Sequence, residues 1–153
     1  VFTTLHTNDA PGTVSRLVDM GVEPYLLASC LRGAMAQRLV RRLCPHCRRE
    51  GVATADAVAE LGDALAAVVT GKPLWEPVGC AHCLEGYSGR MGVFELVQIN
   101  AALRDAIRRG SSGLGELKQL AVAAGMRPLV ADTVDRMLEG ETSLEEALNV
   151  AAA

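Results

Sequence analysis

Two cysteine pairs, Cys44-Pro45-His46-Cys47 and Cys80-Ala81-His82-Cys83, limit what this chain can fold into more than any other feature. Each is a C-x-x-C knuckle, and 32 residues lie between them. Two such knuckles supply four thiolates, the donor set of a closed tetrahedral metal site. A thioredoxin-type redox site uses one C-x-x-C at a strand-to-helix turn, not two matched pairs. The spacing does not follow the ferredoxin runs that hold iron–sulfur clusters. Disulfides are not expected either, since no charged-then-apolar leader is visible. The expected cofactor is therefore structural zinc on Cys44, Cys47, Cys80 and Cys83. His46 and His82 lie inside the knuckles and are expected to be exposed turn residues, because four thiolates already fill a tetrahedron. Cys30, the fifth cysteine, falls in an apolar helical pattern and is expected to be buried.

The 153 residues allow one domain, or one core with a small satellite. Half of the residues are hydrophobic but only 3% are aromatic, which favours helices packed through small side chains. No apolar run reaches membrane-spanning length, so a soluble chain is expected. The formal net charge of -3 argues against a general nucleic-acid binder.

Val1 to Leu5 reads as a buried β-strand, β-branched and apolar. A single strand with no partner in view implies the C-terminal piece of something longer. Asn8 or Asp9 can cap a helix that has Pro11 in its first turn, carries Val14, Leu17 and Val18, and ends at Gly21. The spacing of Leu27, Cys30, Leu31, Ala34, Met35 and Leu39 predicts a second helix from Pro24 to about Arg42. A helix over about 54–69 follows the first knuckle, with Leu61, Leu65 and Val68 on one face. Gly71, Pro73 and Pro77 then break the chain. Residues 84–92, with three glycines, read as a loop, and Val93 to Ile99 as a short strand. The remainder reads as helices. Asn100 caps the first, which carries Leu103 and Ile107; Leu114, Leu117 and Leu120 mark the second. The third starts at Pro128, and the last opens at Thr142-Ser143-Leu144-Glu145, a capping-box pattern.

No P-loop, dinucleotide fingerprint, H-E-x-x-H or G-x-S-x-G is present, so the chain carries no complete active site of its own. One polar cluster remains: Thr3, Thr4, His6, Thr7 and Asn8 at the end of the first predicted strand. Such a place can receive an anion at the following helix N-terminus, or it can be an ordinary helix cap. Arg38, Arg41, Arg42, Arg48 and Arg49 form a second cluster. Their expected role is to offset the negative charge of a four-thiolate zinc, with Arg38 and Arg41 the candidates for binding a phosphate or a partner.

Several stretches together resemble the C-terminal part of the type II secretion and type IV pilus assembly ATPases. Thr4-Leu5-His6-Thr7-Asn8 is similar to that family's histidine box. The run from Arg16 to Pro24, the run from Ala36 to Pro45, Gly79-Cys80, the run from Gly86 to Leu96, and Gly140-Glu141-Thr142-Ser143-Leu144-Glu145-Glu146 also follow its pattern, in order. Only residues 51–78 match weakly. The cysteine pairs point to the secretion and pilus-extension branch, nearest to the type II secretion ATPase.

The resemblance implies an α/β fold: the C-terminal part of a RecA-like ATPase core, with an inserted four-cysteine zinc subdomain and a helical C-terminal subdomain. The implied boundaries are 1–43 for the end of the core with its histidine box, 44–92 for the zinc-binding subdomain and 93–153 for the helical part. It implies that His6 acts catalytically near the terminal phosphate of ATP, and that His6, Thr7 and Gln37 bind the nucleotide. ATP and magnesium are cofactors of the full-length parent, which is a homo-hexamer docked on the inner-membrane secretion platform. There, in the cytoplasm, it powers pseudopilus assembly. The family's P-loop, aspartate box and Walker B residues precede the histidine box, so this chain alone is expected to be inactive. The alternative is a zinc-ribbon module that binds nucleic acid or a protein partner.

Overall fold

A computed structural model describes residues 1–110 and 113–152, and of Leu114 only the backbone. The expected apolar contact of the Leu114 side chain lies outside the described parts. The chain is α/β and divides into two compact units. One comprises residues 1–37 and 94–128, the other residues 38–93 and 129–153.

The first unit holds α1 (Gly12–Asp19) and α2 (Pro24–Cys30), the start of β1 (Gly33–Leu43), the end of β4 (Tyr87–Gln98), α5 (Ala101–Arg108) and α6 (Leu114–Ala123). β1 and β4 pair in a two-stranded sheet. Asp9 accepts a hydrogen bond from the Gly12 N–H at 2.8 Å, but the residue at the cap position of α1 is Pro11, and no side chain caps the helix there, in place of the expected Asn8 or Asp9 cap. Asn100 caps α5 by accepting the Leu103 N–H at 2.9 Å. Val14, Leu27, Val97, Leu103, Ile107 and Leu117 are buried.

Two further expectations fail in this unit. Residues 1–7 form no strand, and Val1 and Phe2 stand fully in solvent. An apolar run becomes a strand only where a neighbour takes its N–H and C=O groups, and among the described residues none does. The second correction is the long helix predicted to run to Arg42. It stops at Cys30, and the chain continues as strand β1. Cys30, Met35 and Leu39 are exposed, whereas Ala36 and Val40 are buried. The reason is visible at Gly33. A Cβ there would stand 2.8 Å from the Val97 carbonyl oxygen, so β4 backbone approaches where a helix would need room.

The second unit contains the rest of β1 and β4, then β2 (Arg49–Val52), α3 (Ala55–Val58), a 3-10 turn (Ala59–Leu61), α4 (Asp63–Val69), β3 (Pro73–Glu76), α7 (Leu129–Leu138) and α8 (Leu144–Ala151). β2 and β3 are antiparallel, with Arg49 opposite Glu76 and Val52 opposite Pro73. The one helix expected over 54–69 is therefore three short pieces, broken at Gly62, whose φ of 84° suits glycine. Val68, expected on its buried face, is exposed. The presumed break at Pro73 is instead an edge strand, where the missing proline N–H costs no ladder bond. The presumed loop over 84–92 belongs mostly to β4. Gly86 serves the strand's entry: a Cβ there, at φ 85°, would lie 2.5 Å from Pro77 Cβ.

The core of this unit joins Ala53, Val58, Leu61, Val69 and Leu74 to Val134, Met137 and Ala147. Leu65, Val130, Leu138, Leu144 and Leu148 pack around it. The segment between the knuckles, unremarkable as a pattern, thus shares one apolar core with the last two helices.

Candidate metal centre and its clamp

The first knuckle turns directly off the end of β1, and the second lies between β3 and β4. Each closes on itself through backbone bonds: the Cys47 N–H reaches the Cys44 carbonyl at 3.4 Å, and the Cys83 N–H reaches the Cys80 carbonyl at 3.3 Å. The Cys44 N–H also donates to the Gly86 carbonyl at 2.9 Å, which ties the first knuckle to the start of β4.

These turns bring all four Sγ atoms within 4.8 Å of one another. The Cys44–Cys80 separation is 3.9 Å, Cys47–Cys83 is 3.7 Å and Cys80–Cys83 is 3.7 Å. A tetrahedron with Zn–S bonds near 2.3 Å has S···S edges of about 3.8 Å. The donor set and its dimensions therefore fit a metal such as zinc. Backbone N–H groups already face the sulfurs: Gly79 donates to Cys47 at 3.3 Å, Cys80 to Cys83 at 3.3 Å and His82 to Cys80 at 3.4 Å. Such donors favour the thiolate over the thiol.

The cluster divides its protons unevenly. For Cys83, burial acts upward, but the Cys80 N–H and the neighbouring thiols outweigh it and lower the pKa to about 7. For Cys80, the His82 N–H acts downward, but burial and the hydrogen bonds that its own thiol donates to Cys83, Cys47 and Cys44 outweigh it and push the pKa to about 12. Four sulfurs this close cannot all ionise without a cation, so a divalent ion would bind by displacing the remaining protons.

Four arginines of the cluster have partners of their own. Arg41 donates from Nε to Glu146 at 2.8 Å and from a terminal nitrogen to Glu145 at 2.9 Å, and its backbone N–H meets the other Glu146 oxygen at 2.7 Å. The Glu146 hydrogen bond, the largest influence, holds the Arg41 guanidinium protonated still more firmly than usual. The same guanidinium lies 4.0 Å from the Tyr87 ring centroid. Arg42 pairs with Glu141 at 3.4 Å, and Arg49 with Glu76 at 3.1 Å. Arg48 bonds to the Gly140 carbonyl and lies 4.5 Å from the centre of the Trp75 ring. These contacts dock the corner between α7 and α8 onto the strands beside the knuckles. Arg38 is half-buried on β1.

The corner itself was legible in part. The helix cap is Ser143, which accepts the Glu146 N–H at 3.4 Å, rather than Thr142. Thr142 instead donates its hydroxyl to the Arg41 carbonyl at 2.7 Å. Glu146 stands where a capping box would have it, yet its carboxylate reaches Arg41. Gly140 has φ 75°, and a Cβ there would meet the Trp75 ring at 2.5 Å. Tyr87 completes the clamp, with its hydroxyl 2.8 Å from Ser143 Oγ and donating to Glu145 at 3.1 Å.

Burial raises the Tyr87 phenol above its ordinary value, with Glu145 acting in the same direction. The folded protein thus holds this proton more tightly than the unfolded chain. Its contribution to stability is fully present below pH about 10 and is lost as pH rises through the higher folded value. Phenolate absorbance during an alkaline titration should show one tyrosine ionising late, and Tyr87→Phe should remove that late step. A Tyr87→Phe protein with an unchanged titration would contradict this.

His46 and His82 are exposed, as expected, with ring centroids 4.9 Å apart. His6 is exposed in the segment without regular structure, and Gln37 is exposed on β1. Neither these two side chains nor Thr7 has a hydrogen bond or ion pair among the described residues. The structure brings the four cysteines together. The Arg41–Tyr87–Glu146 clamp was missed, although its members fall in three of the stretches that carry the family resemblance. No helix among the described residues is long and apolar enough to cross a membrane.

Comparison with known proteins agrees with the resemblance. The chain is 44% identical to the type II secretion system protein E of Klebsiella pneumoniae, over 98% of this chain and 29% of that protein. It is 46% identical to the type II secretion system protein HxcR of Pseudomonas aeruginosa, over 98% of this chain and 28% of that protein. To the type IV pilus assembly ATPase PilB of Myxococcus xanthus it is 41% identical, over 97% of this chain and 26% of that protein. The chain therefore spans under a third of the length of these relatives. In fold it is similar to a crystal structure of the pilus retraction motor PilT with bound ADP, with a TM-score of 0.57 and 21% identity, covering 96% of this chain and 31% of PilT. The family model described as type II/IV secretion system protein matches residues 1–149, and the chain belongs to that family.

Proposed function

We propose that the chain is the C-terminal portion of a secretion ATPase whose ATP hydrolysis powers pseudopilus assembly and protein export across the outer membrane. The observation that supports this most is the convergence of four thiolates at zinc-sized spacing, in a chain that matches part of secretion and pilus assembly proteins. In this reading residues 1–43 end a RecA-like core, 44–92 form the zinc-binding subdomain and 93–153 the helical C-terminal subdomain. Zinc on Cys44, Cys47, Cys80 and Cys83 is structural. The Arg41 clamp then joins the metal-bearing strands to the helices.

The nucleotide site is completed by the parts of the parent that carry a P-loop and acidic residues for magnesium. His6 and Thr7, with Gln37, face the nucleotide there. The His6 imidazole donates a hydrogen bond toward the terminal phosphate and reports its presence to the following helix. The parent is a homo-hexamer on the cytoplasmic face of the inner membrane, docked on the secretion platform.

Two outcomes are expected. The chain alone should not hydrolyse ATP, since it has nothing to cradle the β- and γ-phosphates; magnesium-dependent turnover by the purified chain would sink this reading. In the full-length parent, His6→Ala should keep zinc content and hexamer formation but lower kcat by about ten-fold or more, the scale of one well-placed polar contact. An unchanged kcat in the folded hexamer would make His6 an ordinary surface residue.

A further inference from the structure

We infer that His46 and His82 form a second divalent-metal site, separate from the four thiolates, in which two imidazoles chelate one borderline transition ion such as Ni²⁺. One ring comes from each knuckle, 36 residues apart in sequence, and the closed cysteine cluster fixes their spacing. Neither ring belongs to the group of side chains that can share the thiolate ion. Both side chains are exposed, and neither has a hydrogen bond or ion pair among the described residues, so ring nitrogens are available to a ligand from solvent.

The ring spacing suits chelation. With metal–nitrogen bonds near 2.0–2.1 Å, two imidazoles on one ion at 90–109° have ring centroids about 4.5–5.2 Å apart. The observed separation is 4.9 Å, with the ring planes tilted by 41°. Two neutral stacked rings could sit at a similar distance, but imidazole binds Ni²⁺, Cu²⁺ and Zn²⁺ well, and a chelate held open by the fold loses little entropy on binding. Two protein nitrogens leave coordination positions for water, so this ion is weakly held and exchangeable, unlike one enclosed by four thiolates.

An ion here also staples one knuckle to the other from outside. Its occupancy therefore follows the free metal concentration and slows opening of the thiolate site beneath it. The inference assumes only that the cysteines keep their own ion, and zinc content is measured first so that failure of that reading is seen separately.

The test is a Ni²⁺ titration of zinc-loaded protein by calorimetry, with released zinc followed by a chromogenic chelator. One equivalent of Ni²⁺ should bind without zinc release. His46→Gln and His82→Gln should each weaken that binding by about ten-fold or more while retaining one zinc. The double variant should be no weaker than either single one, as expected for one shared site. In the unmodified protein, substoichiometric Ni²⁺ should broaden the ring resonances of His46 and His82 together. The inference is overturned by Ni²⁺ binding that displaces zinc, by binding whose affinity either substitution leaves unchanged, or by broadening of one ring alone.

Discussion

Cys80→Ser is expected to abolish tight zinc binding and to release the two knuckles, while residues 53–74 keep their order together with α7 and α8. Structural zinc in small thiolate sites supplies on the order of 10 kcal/mol, far more than the few backbone hydrogen bonds that otherwise hold residues 44–48 and 78–86. Those segments have little apolar burial beyond Cys44. The segment between them is different. Val58, Leu61, Val69 and Leu74 are packed on Val134, Met137 and Ala147, an apolar core that contains no thiolate. Hydrogen exchange should therefore show early opening at the knuckles of the variant or of chelated protein. Amides of 53–74 should exchange at the rate of those in α7 and α8. Loss of protection over 53–74 with α7 and α8 still protected would show that the shared core does not act as one unit.

Glu146→Ala is expected to destabilise the second unit by about 2–3 kcal/mol, below the usual cost of breaking a fully buried ion pair because Arg41 is partly in water. Glu146 is 9% exposed by its side chain, whereas its neighbour Glu145 is 61% exposed. Removal of Glu146 strands two donors at once, the Arg41 guanidinium Nε and the Arg41 backbone N–H. Glu145→Ala removes a contact that water can replace and should cost less than about 1 kcal/mol. Urea unfolding with an unchanged slope would measure both. Equal midpoints for the two variants would mean that the buried half of the clamp contributes nothing.

The knuckles were legible because a metal site needs specific atoms at specific spacing, and C-x-x-C writes both into the chain. The helices after Asn100 were legible for a similar reason: the Asn100 cap and the Thr142-Ser143 opening of the last helix, read one residue early, are local signals. The error over residues 31–42 arose from a pattern with two valid periods. Leu31, Met35 and Leu39 are spaced as a helix face, yet Ala36 and Val40 are the buried ones because the partner strand lies across the sheet. Nothing local in the chain announces β4 as that partner. Gly33 was the one local warning. The clamp was invisible for the same reason. Arg41 and Glu146 are 105 residues apart, and only the tertiary fold makes them neighbours.

The shared core also constrains the history of the chain. Ala53–Leu74 and Leu129–Ala151 are distant in sequence, yet neither can be edited alone. A descendant that shortened the span between its cysteine pairs would expose Val134, Met137 and Ala147 to water, and a sticky surface of that kind invites association. Such a descendant would need polar replacements on the last two helices at the same time. Insertions or deletions after the first knuckle should therefore be inherited with compensating changes some sixty to ninety positions downstream, a coupled signature that can be sought in any collection of its relatives.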